Sequence, residues 1–200
     1  MCAPPTWRNF DAGPAFLLEK RLPFLRKALV NRGFPDYPAN IEYGDVTKEL
    51  PIAEQSARGA YCSHVLEHLA LNEFRAALAN VFRYLAPGGT FRLVVPDLDW
   101  LANKYVTSDS TDASLTFLKD ANLGMLQRNR GAADMLKAIF GRSQHLTMWD
   151  YKGMSAELAM AGFTQIRRAS FKDSSDVRFL DVEDSDRWKN CLGVECFRPG

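Results

Sequence analysis

Residues 60–97 read AYCSHVLEHLALNEFRAALANVFRYLAPGGTFRLVVPD, and this stretch decides the fold class. A short apolar strand ends in a polar cluster, and apolar side chains at helical spacing then predict an amphipathic helix over residues 72–85, with Asn72 as its N-cap. The PGG turn ends that helix, and a strand buried on both faces is predicted over residues 90–95. The stretch is therefore a β-α-β unit with polar residues at the carboxyl ends of both strands, where open α/β sheets bind ligands.

The remainder of the chain alternates strands and helices and ends in a pair of strands. This order predicts an α/β fold, with one domain over residues 1–200 and a helical insert at about residues 107–145. The acidic segment DVEDSDR, residues 181–187, is expected to be a solvated loop. The other predicted elements are strands over residues 6–10, 41–43, 60–63, 165–171 and 192–197, and helices over residues 16–29 (divided at Pro23), 98–106, 114–140 and 152–161.

Composition excludes several classes of protein. The 200 residues carry a formal net charge of +1, with 25 Lys and Arg against 24 Asp and Glu, so no basic excess predicts a nucleic-acid or membrane partner. No apolar run approaches the ~20 residues of a membrane span, and the first residues do not resemble a signal peptide. The four cysteines form no C-x-x-C pair and are expected to be reduced thiols of a cytoplasmic protein.

Three segments together resemble the class I S-adenosylmethionine-dependent methyltransferases, and most of all the bacterial type 11 group often found among cell-surface glycan genes. YCSHVLEHL, followed by a helix and then LAPGGTFRLVVPDL, carries the resemblance, and SHVLEH resembles the end of that family's fourth strand. HLTMWDYKGMSAELAMAGFTQIRRASF resembles its late helix and sixth strand, and CLGVECFRP its last strand. The resemblance covers about residues 6–197 and implies a Rossmann-like sheet with helices on both faces and S-adenosylmethionine as the cofactor.

The same resemblance assigns cofactor-binding roles. TWRNFDAGP is similar to the family's second strand, which places Asp11 where a carboxylate holds the ribose hydroxyls. Asp45, followed by Val46, occupies the next strand end and would hold the adenine amino group. Ser63 and His64 face the methyl-donor pocket. The alternative interpretation is that Asp11 and Asp45 are turn residues.

One part of the family pattern is missing. The family begins with a strand and a glycine-rich loop whose backbone N–H groups face the cofactor, yet this sequence contains no G-x-G. In a second possible alignment NFDAGP is the first strand with a degenerate loop, and Gly13 is its one glycine. Without the first strand, the two neighbouring strands must pair directly, a second chain must fill the gap in a homodimer, or the sequence is a fragment of a longer product.

The histidines give the candidate catalytic residues. Either His64 or His145 is expected to be the general base that deprotonates the methyl acceptor. Residues 64–68 also match H-x-x-E-H, a zinc-protease motif, but the preceding strand places His64 in a turn and no metal site is expected. Glu67 and His68 are interpreted as structural residues of the helix start.

Further polar residues have two open interpretations. Asp97 either lines the substrate side or caps the next helix. His145, Trp149 and Asp150 either contact an acceptor substrate or serve packing and capping.

The leading functional hypothesis is methyl transfer from S-adenosylmethionine to an oxygen or nitrogen nucleophile on a small molecule or a glycan. The alternative is a non-catalytic relative of the methyltransferases that binds a partner chain, which the absent glycine-rich loop favours. Neither hypothesis needs a nucleic acid or a membrane.

Overall fold

The computed structural model describes residues 3–22, 24, 26–31, 36–124 and 144–200, and it confirms the α/β class. The chain divides into two compact units. The first holds the described residues up to Asp45, and the second holds residues 46–124 and 144–200. The assignment of residues 1–200 to one domain stays a prediction. Most of the predicted insert, residues 125–143, lies outside the described residues.

The first unit contains a parallel pair of short strands. Strands β1 (Asn9–Asp11) and β2 (Ile41–Tyr43) pair in parallel with Asp11 opposite Tyr43. Helix α1 (Pro14–Arg21) starts on a proline, whose fixed φ suits the first helical position. Helix α2 (Arg26–Val30) follows, so the predicted division of this helical segment is confirmed.

The second unit is built on a four-stranded sheet in the order β3, β4, β6, β5. Strands β3 (Ala57–Ser63) and β4 (Leu85–Pro96) are parallel, and β6 (Cys191–Phe197) runs antiparallel to both β4 and β5 (Thr164–Ala169). Its α-helices are α3 (Leu71–Tyr84), α4 (Leu98–Val106), α5 (Ala113–Asp120), α6 (Tyr151–Met160) and α7 (Ser185–Trp188). Two 3₁₀ turns cover Leu66–His68 and Val177–Asp181. None of the helices in the described ranges is long and apolar enough to cross a membrane.

The first face of this sheet carries the apolar core. Side chains alternate along a strand, so Phe91, Leu93 and Val95 of β4 point to the same side and pack against α3 and α6. Helix α3 begins at Leu71 with Ala70 in the N-cap position, so the predicted cap Asn72 is wrong. Glu73 holds this helix start instead, because its carboxylate accepts the Ala70 N–H at 3.0 Å.

The opposite face is covered by residues 171–188. Arg92 of β4 points to this side and is fully buried, with the ring of Trp188 4.6 Å from its guanidinium carbon. Val182 and Glu183 are also buried here, whereas most of residues 181–187 are exposed, so the prediction of a solvated loop holds only in part. The ion pair between Arg92 and Glu183 holds this acidic segment on the sheet. The local composition does not reveal it, because Arg92 lies on a strand that is distant in the sequence.

The turn between α3 and β4 departs from the expected simple strand start. Ala57 pairs with Leu85, but Gly59 pairs with Thr90, so the PGG residues form an irregularity inside β4 rather than the loop before it. Gly88 has φ of +72°, a backbone conformation that favours glycine. Within the described residues, β3 is hydrogen-bonded on one side only, by β4, and β1 and β2 form a sheet of their own.

Candidate active site at the strand ends

The turn after β3 is formed by a histidine with an unusual backbone. His64 donates its N–H to the Val94 carbonyl at 2.9 Å and has φ of +55°. This left-handed conformation turns the chain out of the sheet immediately after Ser63. A side-chain-bearing residue with positive φ is uncommon, and such residues concentrate at functional sites.

Both ring nitrogens of His64 face acceptors. Nδ1 lies 3.1 Å from Oε1 of Glu67, and Nε2 lies 2.9 Å from the Arg187 carbonyl, with the sulfur of Cys191 at 3.8 Å. Burial alone would lower the pKa of His64, but the hydrogen bonds to Cys191, Glu67 and the Arg187 carbonyl outweigh it and raise the pKa to about 10. The imidazole is therefore a double donor at neutral pH.

Glu67 is the centre of this cluster. Its side chain is 1% exposed, and while Oε1 faces His64, Oε2 is buried without a hydrogen-bond partner in the described structure. Its backbone carbonyl accepts the N–H groups of Leu146 and Thr147 at 2.8 and 3.1 Å. These two bonds bring the segment that begins at Gln144 against the Leu66–His68 turn.

His68 and His145 meet beside this carboxylate. Their ring centroids are 4.9 Å apart, and Glu67, His68 and His145 each offer one ligand atom within 4.8 Å of the others. The Nδ1 of His145 donates to the Ala121 carbonyl at 2.7 Å. Burial lowers the pKa of His145, so its ring is neutral at pH 7 and carries a lone pair on Nε2. The H-x-x-E-H motif could not reveal this group, because His145 is 77 residues beyond His68 in the chain.

The other polar residues near these strand ends have packing and capping contacts. Asp97 accepts the Asp99 N–H at 2.9 Å as the N-cap of α4, and it pairs with Arg168 at 3.2 Å. Trp149 stacks on Phe74 with ring centroids 4.4 Å apart. Asp150 caps α6, because its carboxylate accepts the Gly153 N–H at 2.7 Å.

In the first unit, Asp11 lies at the carboxyl end of β1. Oδ1 of Asp11 accepts the Gly13 N–H at 2.6 Å, and a Cβ at Gly13 would lie 2.9 Å from that oxygen, which explains the glycine. The Asp11 carbonyl accepts the Gly44 N–H at 3.2 Å, so Asp11 and Asp45 follow neighbouring strands. Burial raises the pKa of Asp11. Within the described residues no second hydrogen bond reaches this carboxylate.

The six predicted cofactor residues are divided between the two units. Asp11, Gly13 and Asp45 belong to the first unit, whereas Val46, Ser63 and His64 belong to the second. Val46 packs against the core of the second unit, and its carbonyl accepts the side-chain amide of Asn80 at 2.9 Å. The assignment of these residues to a cofactor site stays a prediction, as do the catalytic roles of His64 and His145.

Comparison with known proteins gives one family match. The family described as "Methyltransferase domain" matches residues 17–93, a range that includes β2, β3, α3 and most of β4. A search of curated proteins found no matching sequence.

Solved structures with a similar fold have low sequence identity. A complex of the Haloferax volcanii Trm112 methyltransferase activator and a candidate methyltransferase is 14% identical, with 96% of this chain and 70% of that chain covered and a TM-score of 0.48. PigF with SAH is 17% identical, with 98% of this chain and 44% of that chain covered and a TM-score of 0.48. A Burkholderia thailandensis 1,6-didemethyltoxoflavin-N1-methyltransferase is 14% identical, with 87% and 56% covered and a TM-score of 0.42. The chain spans about half the length of the last two.

The family match rests on the stretch that predicted the fold. It includes the whole β3-α3-β4 connection up to Leu93, with the polar turn at His64 and the bulged PGG segment. Residues 17–93 are thus similar to a methyltransferase domain, which agrees with the resemblance that the sequence has over this part of the chain.

Proposed function

We propose that this protein transfers a methyl group from S-adenosylmethionine to an oxygen or nitrogen nucleophile on a small molecule or a glycan. The family match over residues 17–93 carries the proposal. In the reaction the bond between the methyl carbon and the sulfonium sulfur breaks, its electron pair stays on sulfur, and a bond to the nucleophile forms. The acceptor's proton passes to a base. The protein's main contribution is to hold the two reactants in line.

The ribose and adenine contacts fall to the first unit in this proposal. Asp11 has one oxygen held by the Gly13 N–H, which fixes the carboxylate and directs the other oxygen toward the ribose hydroxyls. Asp45, close to the end of the neighbouring strand, takes the adenine amino group. Gly13 keeps the space beside Asp11 clear of a side chain.

Ser63 and His64 contact the methyl-donor end of S-adenosylmethionine in this proposal. Because both nitrogens of His64 face acceptors, its role is that of a donor that positions Glu67 and the Arg187 carbonyl. His145 suits the general base better, since its Nδ1–H is engaged with Ala121 and its Nε2 can accept a proton.

Location and acceptor complete the proposal. The free thiols of Cys62, Cys191 and Cys196 suit a reducing compartment, so we place the activity in the cytoplasm. The acceptor is a small molecule or a glycan rather than a nucleic acid, because the charges of the chain nearly balance.

Calorimetry with S-adenosylmethionine and S-adenosylhomocysteine tests this function. We expect one cofactor per chain and an upward shift of Tm. Asp11→Asn keeps an oxygen for the Gly13 N–H but removes the charge, and it should weaken binding at least tenfold. Asp36→Asn, which changes an exposed carboxylate in the same unit, is the matched control and should bind as the wild type does. No heat and no Tm shift at millimolar cofactor would overturn the proposal.

The alternative function is binding of a partner chain without catalysis. The one-sided hydrogen bonding of β3 within the described residues favours it, because an unpaired strand edge is a template for another strand. In that case the chain forms a homodimer or a complex through this edge. Light scattering distinguishes the two: a concentration-independent monomer that binds S-adenosylmethionine supports the enzyme, and a dimer that does not bind it supports the alternative.

A further inference from the structure

We infer that Glu67, His68 and His145 form a binding site for a divalent transition-metal ion, with Zn²⁺ as the ion that this donor set favours. The three side chains offer ligand atoms within 4.8 Å of one another. The inference rests on this geometry and does not need S-adenosylmethionine to bind, but an ion on Nε2 of His145 would prevent that nitrogen from acting as the general base proposed above.

The carboxylate gives the strongest argument. Glu67 is 1% exposed, yet its Oε2 is buried without a partner among the described residues. A buried carboxylate oxygen that lacks a hydrogen bond carries the full cost of its desolvation. Oε1 is already held by His64, so the carboxylate is oriented. A cation beside Oε2 would satisfy this unpaired carboxylate oxygen.

In both imidazoles one ring nitrogen is hydrogen-bonded to a backbone carbonyl, as is usual for histidines that bind a metal. A ligating histidine almost always donates its other ring N–H to a carbonyl or a carboxylate, which fixes the tautomer. Nδ1 of His145 lies 2.7 Å from the Ala121 carbonyl oxygen, and Nδ1 of His68 lies 3.3 Å from that of Gln144. Both arrangements assign the proton to Nδ1, so that Nε2 is the donor atom toward a metal.

Main-chain bonds hold the three ligands together. Glu67 and His68 lie in one 3₁₀ turn, and the Glu67 carbonyl accepts the N–H groups of the two residues after His145. Ligand atoms around a tetrahedral zinc ion are about 3.3 Å apart for bonds of about 2.0 Å. The ligand atoms here lie within 4.8 Å of one another, so they would have to approach by up to about 1.5 Å to bind the ion.

The donor set indicates the ion and its mode of binding. Two imidazoles and one carboxylate suit Zn²⁺, whereas Mg²⁺ and Ca²⁺ prefer oxygen ligands alone. Three protein ligands leave a fourth position for water or for a donor atom of a substrate. This open position distinguishes the proposed site from a structural zinc site, in which four protein ligands surround the ion. The proposed site lies at the same strand end as the turn at His64.

This site differs from the one that the H-x-x-E-H motif suggests. That motif pairs His64 with His68, but the structure directs both nitrogens of His64 to Glu67 and to the Arg187 carbonyl. His145 takes its place as the second imidazole. His64 becomes a positioning residue that orients the Glu67 carboxylate.

Metal titration of the full chain, purified without a polyhistidine tag and stripped with a chelator, tests the inference. We expect one Zn²⁺ per chain in competition with a chromophoric chelator, a rise in Tm on adding Zn²⁺, and visible absorption typical of tetrahedral Co²⁺ when Co²⁺ replaces zinc. Glu67→Gln, His68→Gln and His145→Gln should each abolish these signals. Circular dichroism reports whether each variant is folded.

Two further variants separate this site from other zinc ligands in the chain. Asp186→Asn is the control, since a carboxylate also binds zinc but the exposed Asp186 lies outside the set, and it should bind as the wild type does. His64→Gln should weaken binding by about 10–100-fold without abolishing it, as expected for a residue that orients a ligand. Absence of stoichiometric zinc and of a Tm shift in the wild type would overturn the inference, as would folded His145→Gln protein that binds zinc unchanged.

Discussion

Arg92 and Glu183 form an ion pair in which neither side chain is exposed, with 2.5 Å between Nε and Oε1. Arg92 also pairs with Glu195 at 3.1 Å and Asp173 at 3.0 Å, and it donates to the Ser170 carbonyl at 2.6 Å. These partners lie on β6 and on the segment between β5 and β6. One guanidinium thus joins the centre of the sheet to the chain that covers its second face.

The first prediction concerns the stability that this network provides. Arg92→Met should lower the free energy of unfolding by about 3–5 kcal/mol, because it leaves buried carboxylates without their cation. Urea unfolding followed by circular dichroism measures the change. Lys189→Gln is the control, since the Lys189–Asp186 pair is largely exposed and its loss should leave the unfolding midpoint unchanged. Equal midpoints for Arg92→Met and the wild type would contradict the prediction.

The second prediction concerns acid stability. Burial would raise the pKa of Asp173, but Arg167, the Ser170 N–H and Arg92 outweigh it and lower the pKa. A pKa that is lower in the folded chain than the ordinary value of about 3.9 stabilises the fold above that value, and this stabilisation is lost as the pH falls through the folded pKa.

Asp173→Asn should therefore be less stable than the wild type at pH 7, and the difference should shrink as the pH falls below about 4. Urea midpoints at pH 7, 5, 4 and 3 measure it. Asp186→Asn, an exposed carboxylate, is the comparison. A stability difference that stays constant over this pH range would show that the charge of Asp173 is not its cause.

The third prediction concerns Gly193 in β6. A Cβ there would collide with the ring of Trp188 and would lie 2.7 Å from the Ala169 carbonyl oxygen. Gly193→Ala should therefore destabilise the chain by about 1–3 kcal/mol or more through overpacking. Thermal unfolding monitored by near-UV circular dichroism reports both the stability and the packing of Trp188.

Gly88→Ala is the matched control for this prediction. Nothing lies within 4 Å of a Cβ at Gly88, so only its φ of +72° opposes the substitution. We expect a cost of about 1–2 kcal/mol from the left-handed backbone and no change in the tryptophan signal. An altered near-UV spectrum in Gly88→Ala alone would refute the steric explanation for Gly193.

The parts of the fold that the sequence predicted well are those with local periodicity. Helix α3 and strand β4 have apolar side chains at regular spacing, and the bounds of α3 and the carboxyl end of β4 lie close to the predicted ones, although β4 starts five residues earlier, at Leu85. The N-cap was wrong because Glu73, rather than Asn72, holds the first turn. Helix caps depend on side-chain rotamers that periodicity does not specify.

The errors of interpretation at the polar positions have a different cause. Residues 181–187 contain four carboxylates and seem hydrophilic, but Glu183 is buried because Arg92 meets it from 91 positions away in the chain. His145 likewise meets Glu67 only through the fold. Composition does not show which charged side chains meet across long distances in the sequence. These pairs determine which polar residues are buried.

The buried guanidinium of Arg92 also fixes the alignment of β4. Since neighbouring side chains on a strand point to opposite faces, a slip of β4 by one position would move Arg92 into the apolar layer beneath Phe74 and Leu78. That layer is built of apolar side chains. The buried positive charge thus specifies the register of β4, and it destabilises mispaired sheets more than it stabilises the correctly paired sheet.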